Sequence, residues 1–130
     1  MSLLYEIDDH QQCIFMCISG VIGDWELGTK AQQLWDEPAY KPHFARLIDA
    51  SDILAWRAGT SLLRAIASDV RIGSPRRVAM VAKSEPVLAQ FKLYAEDLRD
   101  IPAQVFTAID DALVWLNVRL PHPWPPEDRS

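Results

Sequence analysis

Short apolar runs alternate along the chain with longer segments in which apolar residues recur every three or four positions. The runs predict buried β-strands, and the helical spacing predicts amphipathic α-helices. Strands are predicted over 3–8, 13–20, 44–49, 76–83 and 103–108. Helices are predicted over 24–37, 60–72, 84–100 and 110–120. The predicted element order is therefore β-β-α-β-α-β-α-β-α.

This order predicts an α/β fold built on a mixed, mostly parallel five-stranded sheet with four helices. Strands that alternate with helices pair in parallel, because each helix carries the chain back along the sheet. The polar turn over 9–12 predicts an N-terminal β-hairpin, which adds the first strand antiparallel. Asp24, Thr60 and Ser84 are predicted helix caps. Gly73 is predicted to end the second helix.

A single domain is predicted over 1–120, since a chain of 130 residues suits one domain. The last ten residues, "PHPWPPEDRS", include four prolines and predict an extended C-terminal tail over 121–130. Trp124 is predicted to pin this tail, either to the domain or to a neighbouring subunit.

The charge of the chain excludes one class of partner. With 13 basic and 18 acidic residues the formal net charge is −5, which has the wrong sign for a nucleic-acid binder. No apolar run approaches the roughly 18 residues of a membrane span. The N-terminus lacks the basic segment of a signal peptide. A cytoplasmic location is predicted.

The cysteines and histidines of the chain do not indicate a disulfide, a metal site or a catalytic site. Cys13 and Cys17 are the two cysteines of the chain. In a strand they would stand about 13 Å apart, whereas disulfide partners need Cα atoms within about 7 Å, so both are predicted to be free and buried. His10, His43 and His122 have no partner at the spacing of a metal site or a catalytic triad. No catalytic residue, metal or cofactor is predicted.

The segment "RLIDASDILAW", residues 46–56, combines a strand with acidic and hydroxyl residues. Asp49, Ser51 and Asp52 follow its first apolar residues, where the carboxyl ends of parallel strands form ligand sites. The same residue types are favoured where a strand turns, because their side chains bond nearby backbone N–H groups. We favour the structural interpretation. Trp56 belongs to no helical stripe and is a candidate exposed or pocket-lining aromatic residue.

Several short motifs recur in the order and spacing of a known family. The matching residues are Gly20, Glu26, Leu27, Arg46, Ile48, Asp49, Ser51, Asp52, Arg77, Ala79, Val81, Ala82, Val105, Phe106, Ala112, Leu113, Trp115 and Leu116. The match runs over 3–118. The chain resembles the SpoIIAA-like branch of the STAS-type proteins, which are small bacterial domains.

The resemblance implies a SpoIIAA-like fold and a regulatory, protein-interaction role without catalysis. The predicted partner-binding residues are Asp49, Ser51, Asp52, Trp56 and Arg57. In the anti-sigma-factor antagonists of this class, a serine in a loop before the second helix is phosphorylated. Thr60 and Ser61 lie near the matching place and are candidate phosphoacceptors. The acidic residue of that motif is missing here.

The alternative function is binding of a small apolar ligand or lipid, because this fold is shared with CRAL-TRIO lipid-binding domains. Val87, Phe91 and Tyr94 lie on one helical stripe and are the candidate pocket residues. They equally suit a filled core, since a small domain has little volume for a cavity. A homodimer is also predicted, from an apolar sheet edge and the Trp124 tail.

Overall fold

The elements follow one another in the predicted order in a computed structural model, which describes residues 2–125. The strands are β1 Leu3–Asp8, β2 Cys13–Gly23, β3 Ala45–Arg57, β4 Val78–Val81 and β5 Ala103–Phe106. The helices are α1 Asp24–Asp36, α2 Thr60–Ser68, α3 Glu85–Asp97 and α4 Ile109–Leu116, with a 3₁₀ turn at Val70–Ile72. No helix in this part of the chain is long and apolar enough to cross a membrane.

The sheet has the strand order β1-β2-β3-β4-β5. β1 pairs antiparallel with β2, and the other neighbours pair in parallel, as predicted. The three parallel crossovers advance in the same direction across the sheet. Because such crossovers are right-handed, α1, α2 and α3 all pack on one face, and α4 packs on the other.

β3 is much longer than the predicted strand over 44–49. It continues beside β2 until Arg57 pairs with Gly23, with register shifts between Cys17 and Ser19 and between Gly20 and Val21. β4 pairs only with the first part of β3, over 46–49, so the ends of β2 and β3 project beyond the sheet. The polar residues of this segment therefore lie inside a long irregular strand, where a bulge disturbs the alternation of faces.

The helix starts differ from prediction by one residue at two places. Gly23 and Gly59 are the N-caps of α1 and α2, so Asp24 and Thr60 are the first helical residues. Ser84 is the N-cap of α3, as predicted. Asp24 has another role, because its Oδ1 accepts a hydrogen bond of 2.6 Å from the Gly59 backbone N–H. This bond ties the start of α1 to the start of α2.

The two cysteines are free and buried, as predicted. Burial raises the pKa of the Cys13 thiol to about 12 and that of the Cys17 thiol to about 11. Both thiols are therefore protonated at neutral pH and act as small apolar side chains.

The C-terminal segment crosses the face of the sheet that carries α4. Trp124 packs with the core under that helix, and its ring lies 6.3 Å from the ring of Phe15. The tail is thus pinned to its own domain as far as Pro125. The predicted tail residues 126–130 lie outside the described residues, and the predicted domain boundary at residue 120 stays a prediction.

Candidate functional site

A cavity of about 80 Å³ lies between the sheet and the three helices α1, α2 and α3. Its floor is formed by strand residues such as Met16, Ile18 and Ile48, and its walls by helix residues such as Leu34 and Leu63. Most of the lining is apolar.

Lys30 is a basic residue in the apolar stripe of α1. It lies between Leu27 and Leu34, and all three are buried. Residues at this spacing share one helix face, so the Lys30 side chain is directed toward the sheet and lines the cavity. Only 8% of it is exposed.

Arg46 lines the same cavity from β3 and is 4% exposed. Its Nη2 donates hydrogen bonds to the Tyr40 hydroxyl at 2.5 Å and to the Ile72 carbonyl at 2.8 Å. Its Nε is buried and has no hydrogen-bond partner among residues 2–125. A buried guanidinium is therefore held by two neutral oxygens, and its Nε is a buried donor without a partner in this part of the chain.

Two aromatic residues of the cavity lining, Trp56 and Tyr94, carry polar atoms. The Trp56 ring stands edge-on to the Phe91 ring, with 5.7 Å between centroids. Its indole Nε1 is buried without a partner in the described part of the chain. Burial raises the pKa of the Tyr94 hydroxyl to about 12, so this group is protonated at neutral pH.

The structure brings together two of the three predicted pocket residues. Phe91 and Tyr94 line the cavity. Val87 lies earlier on the same stripe and is buried in the adjoining core, but it does not reach the cavity. The predicted stripe is therefore partly core and partly cavity wall.

The five predicted partner-binding residues do not form one surface, which corrects the prediction that they share a loop. Successive residues of a strand face opposite sides of a sheet. Trp56 lines the cavity under the helices, whereas Asp49 bonds to Trp124 on the side of α4. Asp52 and Arg57 are exposed, and Ser51 is half-buried.

Asp49 is buried and satisfied within the fold, with 6% of its surface exposed. Its Oδ1 accepts hydrogen bonds from the Ser51 N–H at 3.0 Å and from the Ser51 hydroxyl at 2.5 Å. Its Oδ2 accepts a bond of 2.7 Å from the Trp124 indole. This carboxylate connects the tail to the sheet, and its predicted role in partner binding stays a prediction.

The candidate phosphoacceptors lie in the first turn of α2. Thr60 is half-buried, and its hydroxyl is 3.4 Å from the Gln90 Oε1. Ser61 is exposed and is the more accessible of the two hydroxyls. Phosphorylation at these residues stays a prediction.

Lys30 and Arg46 are the cavity residues that the sequence interpretation missed as a site. Both positions are recognisable in the sequence, because each has a basic residue where the periodicity of its helix or strand predicts an apolar one. Lys30 falls between Leu27 and Leu34, and Arg46 shares its face of β3 with Ile48. A cation at a core position is a sign of a buried polar site.

Comparison with known proteins identifies the architecture. No family model and no curated protein matches the chain. A solved structure that resembles it is an uncharacterized protein of the DUF3478 family from Shewanella loihica PV-4, described as having a SpoIIAA-like fold. The two agree with a TM-score of 0.60 at 18% sequence identity, over 88% of this chain and 94% of the other. This chain has the SpoIIAA-like fold. The predicted resemblance is confirmed at the level of the fold.

On the α4 face of this SpoIIAA-like fold, an electrostatic contact between His122 and Glu6 connects the tail to β1. Its Nδ1 is 3.0 Å from the Pro123 carbonyl oxygen, and its Nε2 is 2.5 Å from Glu6 Oε2. Both ring nitrogens thus face acceptors, which favours the imidazolium. The contact with the Pro123 carbonyl and the nearby Glu6 carboxylate raise the pKa of His122 above its usual value.

The contact between His122 and Glu6 is therefore expected to weaken as the pH rises. The contact is fully present below the ordinary imidazole pKa of about 6.5 and is lost as the pH passes the raised value. The indole N–H resonance of Trp124 in NMR spectra should move between about pH 5 and about pH 8, the range in which histidine titrates. The variant His122→Ala should lose this dependence. A resonance that titrates equally in the variant would contradict the role of His122.

Proposed function

We propose that this protein is a non-enzymatic binding domain that holds a small, mainly apolar ligand in the cavity under α1, α2 and α3. One observation carries the proposal. The cavity is lined mainly by apolar side chains, yet one of its lining residues, Trp56, has an indole Nε1 that is a buried donor without a partner in the described residues. Such a donor costs about 1–3 kcal/mol, and a ligand with an acceptor atom removes that cost.

The volume of the cavity limits the size of the ligand. An apolar cavity of roughly 150 Å³ binds benzene, and this one has about 80 Å³. It suits a ligand with a few carbon atoms, or a longer one if the helices move apart. The SpoIIAA-like fold is shared with CRAL-TRIO lipid-binding domains, which supports the same function.

Filling the cavity is expected to weaken ligand binding. Ala31 lines the cavity from α1, so Ala31→Leu places three more carbon atoms in that space while keeping a strong helix former. We expect its affinity for straight-chain alcohols and carboxylates, titrated by NMR or calorimetry, to fall at least about tenfold, which is the loss of roughly 1.4 kcal/mol of ligand burial.

The matched control is Ala89→Leu, an exposed position on α3, which should bind as the original protein does. Native mass spectra of freshly purified protein provide a second readout, as the mass of any retained ligand. If the original protein binds neither alcohols nor carboxylates and its spectra show the bare chain, the proposed function is wrong.

A regulatory, protein-interaction role is the second candidate, and exposed apolar residues favour it. Trp25 is 81% exposed and Leu54 is 84% exposed, and both lie near the projecting ends of β2 and β3. Two large apolar side chains exposed to this extent would suit contact with a partner. A protein partner, a homodimer and a cytoplasmic location are parts of this second proposal. Self-association would appear as the mass of two chains in the same native spectra.

A further inference from the structure

We propose that the ligand of this cavity is an anion with a short apolar body, a carboxylate in its simplest form, whose charged group binds between Lys30 and Arg46. The inference rests on the proposed function and names the ligand class for the same cavity. Three features of the site support it: the absence of counter-ions among residues 2–125, the predominance of hydrogen-bond donors among its polar groups, and the apolar remainder of the lining.

Neither cation has a counter-ion in the described part of the chain. The ion pairs there involve Arg64, Arg71 and His122. No carboxylate among residues 2–125 lies within 4.0 Å of the charged nitrogens of Lys30 or Arg46. A buried charge is costly unless it is paired. The protein as a whole is acidic, with a net charge of −5, yet the described residues place no Asp or Glu in the wall of this cavity.

The two cations stand on different elements of the fold. Lys30 belongs to α1, which covers the sheet, and Arg46 belongs to β3 in the sheet itself. Both line the one cavity. A group bound between them therefore meets positive charge from the helix layer and from the strand layer.

The polar groups carried by the lining residues Lys30, Arg46, Trp56 and Tyr94 are mostly donors. The Arg46 Nε and the Trp56 Nε1 donate and cannot accept, and both are buried without partners within residues 2–125. The Lys30 ammonium also only donates. The Tyr94 hydroxyl keeps its proton at neutral pH, because burial raises its pKa to about 12. A ligand that supplies only acceptor oxygens matches this set.

The apolar remainder of the lining selects among anions. Free phosphate or sulfate would place charged oxygens against Ile18, Leu34 and Phe91, which desolvates them without compensation. A carboxylate with a short alkyl or aryl group directs its oxygens to the cations and its carbons to these side chains. Charged groups make the stronger hydrogen bonds, so the acid should bind more tightly than a neutral ligand of the same length.

The experiment is a titration with matched pairs of ligands. Each straight-chain carboxylate from butanoate to octanoate is compared, by calorimetry or NMR, with the alcohol of equal length. We expect the carboxylate of the best pair to bind at least about tenfold more tightly than its alcohol at neutral pH. Alcohols that bind as tightly as carboxylates would overturn the anion proposal while leaving the proposed function standing. Failure of both series would overturn the proposed function itself.

The variant Lys30→Met tests the charge with little change of shape. It should lower the affinity for the carboxylate about tenfold and change the affinity for the alcohol by less than about threefold. It should also raise the melting temperature of the ligand-free protein, because it replaces a basic residue that is only 8% exposed with an apolar residue of similar length in a mainly apolar lining. Arg46→Met should lower the carboxylate affinity similarly, although it also breaks the bonds to Tyr40 and Ile72.

The matched control is Lys92→Met, an exposed lysine on α3. It removes the same charge from the protein and should leave both affinities unchanged. If Lys30→Met and Lys92→Met lower carboxylate binding equally, the attraction comes from net charge and the cavity site is refuted. If Lys30→Met raises the melting temperature but binds the carboxylate as before, Lys30 does not contact the anion and the proposal is wrong.

Discussion

Replacing Asp49 with alanine is expected to lower the free energy of unfolding by about 3 kcal/mol. The carboxylate accepts two hydrogen bonds from Ser51 and one from the Trp124 indole. Its loss leaves these donors without an acceptor and loosens the segment that covers Phe15. Urea denaturation followed by circular dichroism measures the change.

The control for Asp49 is a second carboxylate on the same strand. Asp52 is exposed and lies only a few residues further along β3, so Asp52→Ala should change the free energy of unfolding by less than about 0.5 kcal/mol. Asp49→Asn keeps an acceptor oxygen, so its loss in free energy of unfolding should lie between those of Asp49→Ala and Asp52→Ala. If Asp49→Ala unfolds at the same urea concentration as Asp52→Ala, the Asp49 carboxylate has no structural role, and its assignment to a partner surface becomes the better hypothesis.

Gly73→Ala is expected to lower the free energy of unfolding by about 3–4 kcal/mol, which is at least as much as Asp49→Ala. Gly73 has a φ of +68°, which only glycine adopts without strain when ψ is near −142°. An added Cβ would also lie 2.3 Å from the Cβ of Pro42, so the chain there has to move. Thermal and urea unfolding should both show the loss.

Gly73→Ala should also disturb Arg46 in the lining of the cavity. The neighbouring carbonyl of Ile72 accepts a hydrogen bond from Arg46, so a shift of this turn moves one of the groups that hold the guanidinium. The control is Gly28→Ala in α1, where the new Cβ meets Leu62 at an ordinary 3.7 Å. Because glycine inside a helix is unfavourable, Gly28→Ala should raise the free energy of unfolding by about 0.5–1 kcal/mol. Equal stability of the two variants would contradict the special backbone of Gly73.

Element order and fold class were predictable because they depend on local spacing. The stripe that includes Leu27 and Leu34, or the run over 13–18, shows which face of an element is apolar without reference to any other element. The end of β3 was not predictable in this way. Its continuation to Arg57 depends on pairing with the extended end of β2, and the register shifts there disturb the alternation that local spacing would reveal.

The candidate site was predictable only in part, for the same reason. Phe91 and Tyr94 stand out as members of one stripe, but a stripe does not distinguish a filled core from a cavity wall. Lys30 and Arg46 belong to different elements, and only the packing of α1 on the sheet brings them to one cavity. Asp49 and Trp124 are 75 positions apart, and neither residue by itself indicates their bond.

The sequence by itself thus determined the α/β class, the order of its strands and helices, and the small SpoIIAA-like domain that this order resembles. These follow from short-range periodicity, which each segment carries independently of the rest. The tertiary structure alone decided that Asp49 anchors the tail, that Trp56 lines a cavity, and that two cations without an ion pair among residues 2–125 line a mainly apolar space beneath three helices. Those features depend on contacts between distant segments, where shape and burial determine which polar groups find partners and which remain unpaired.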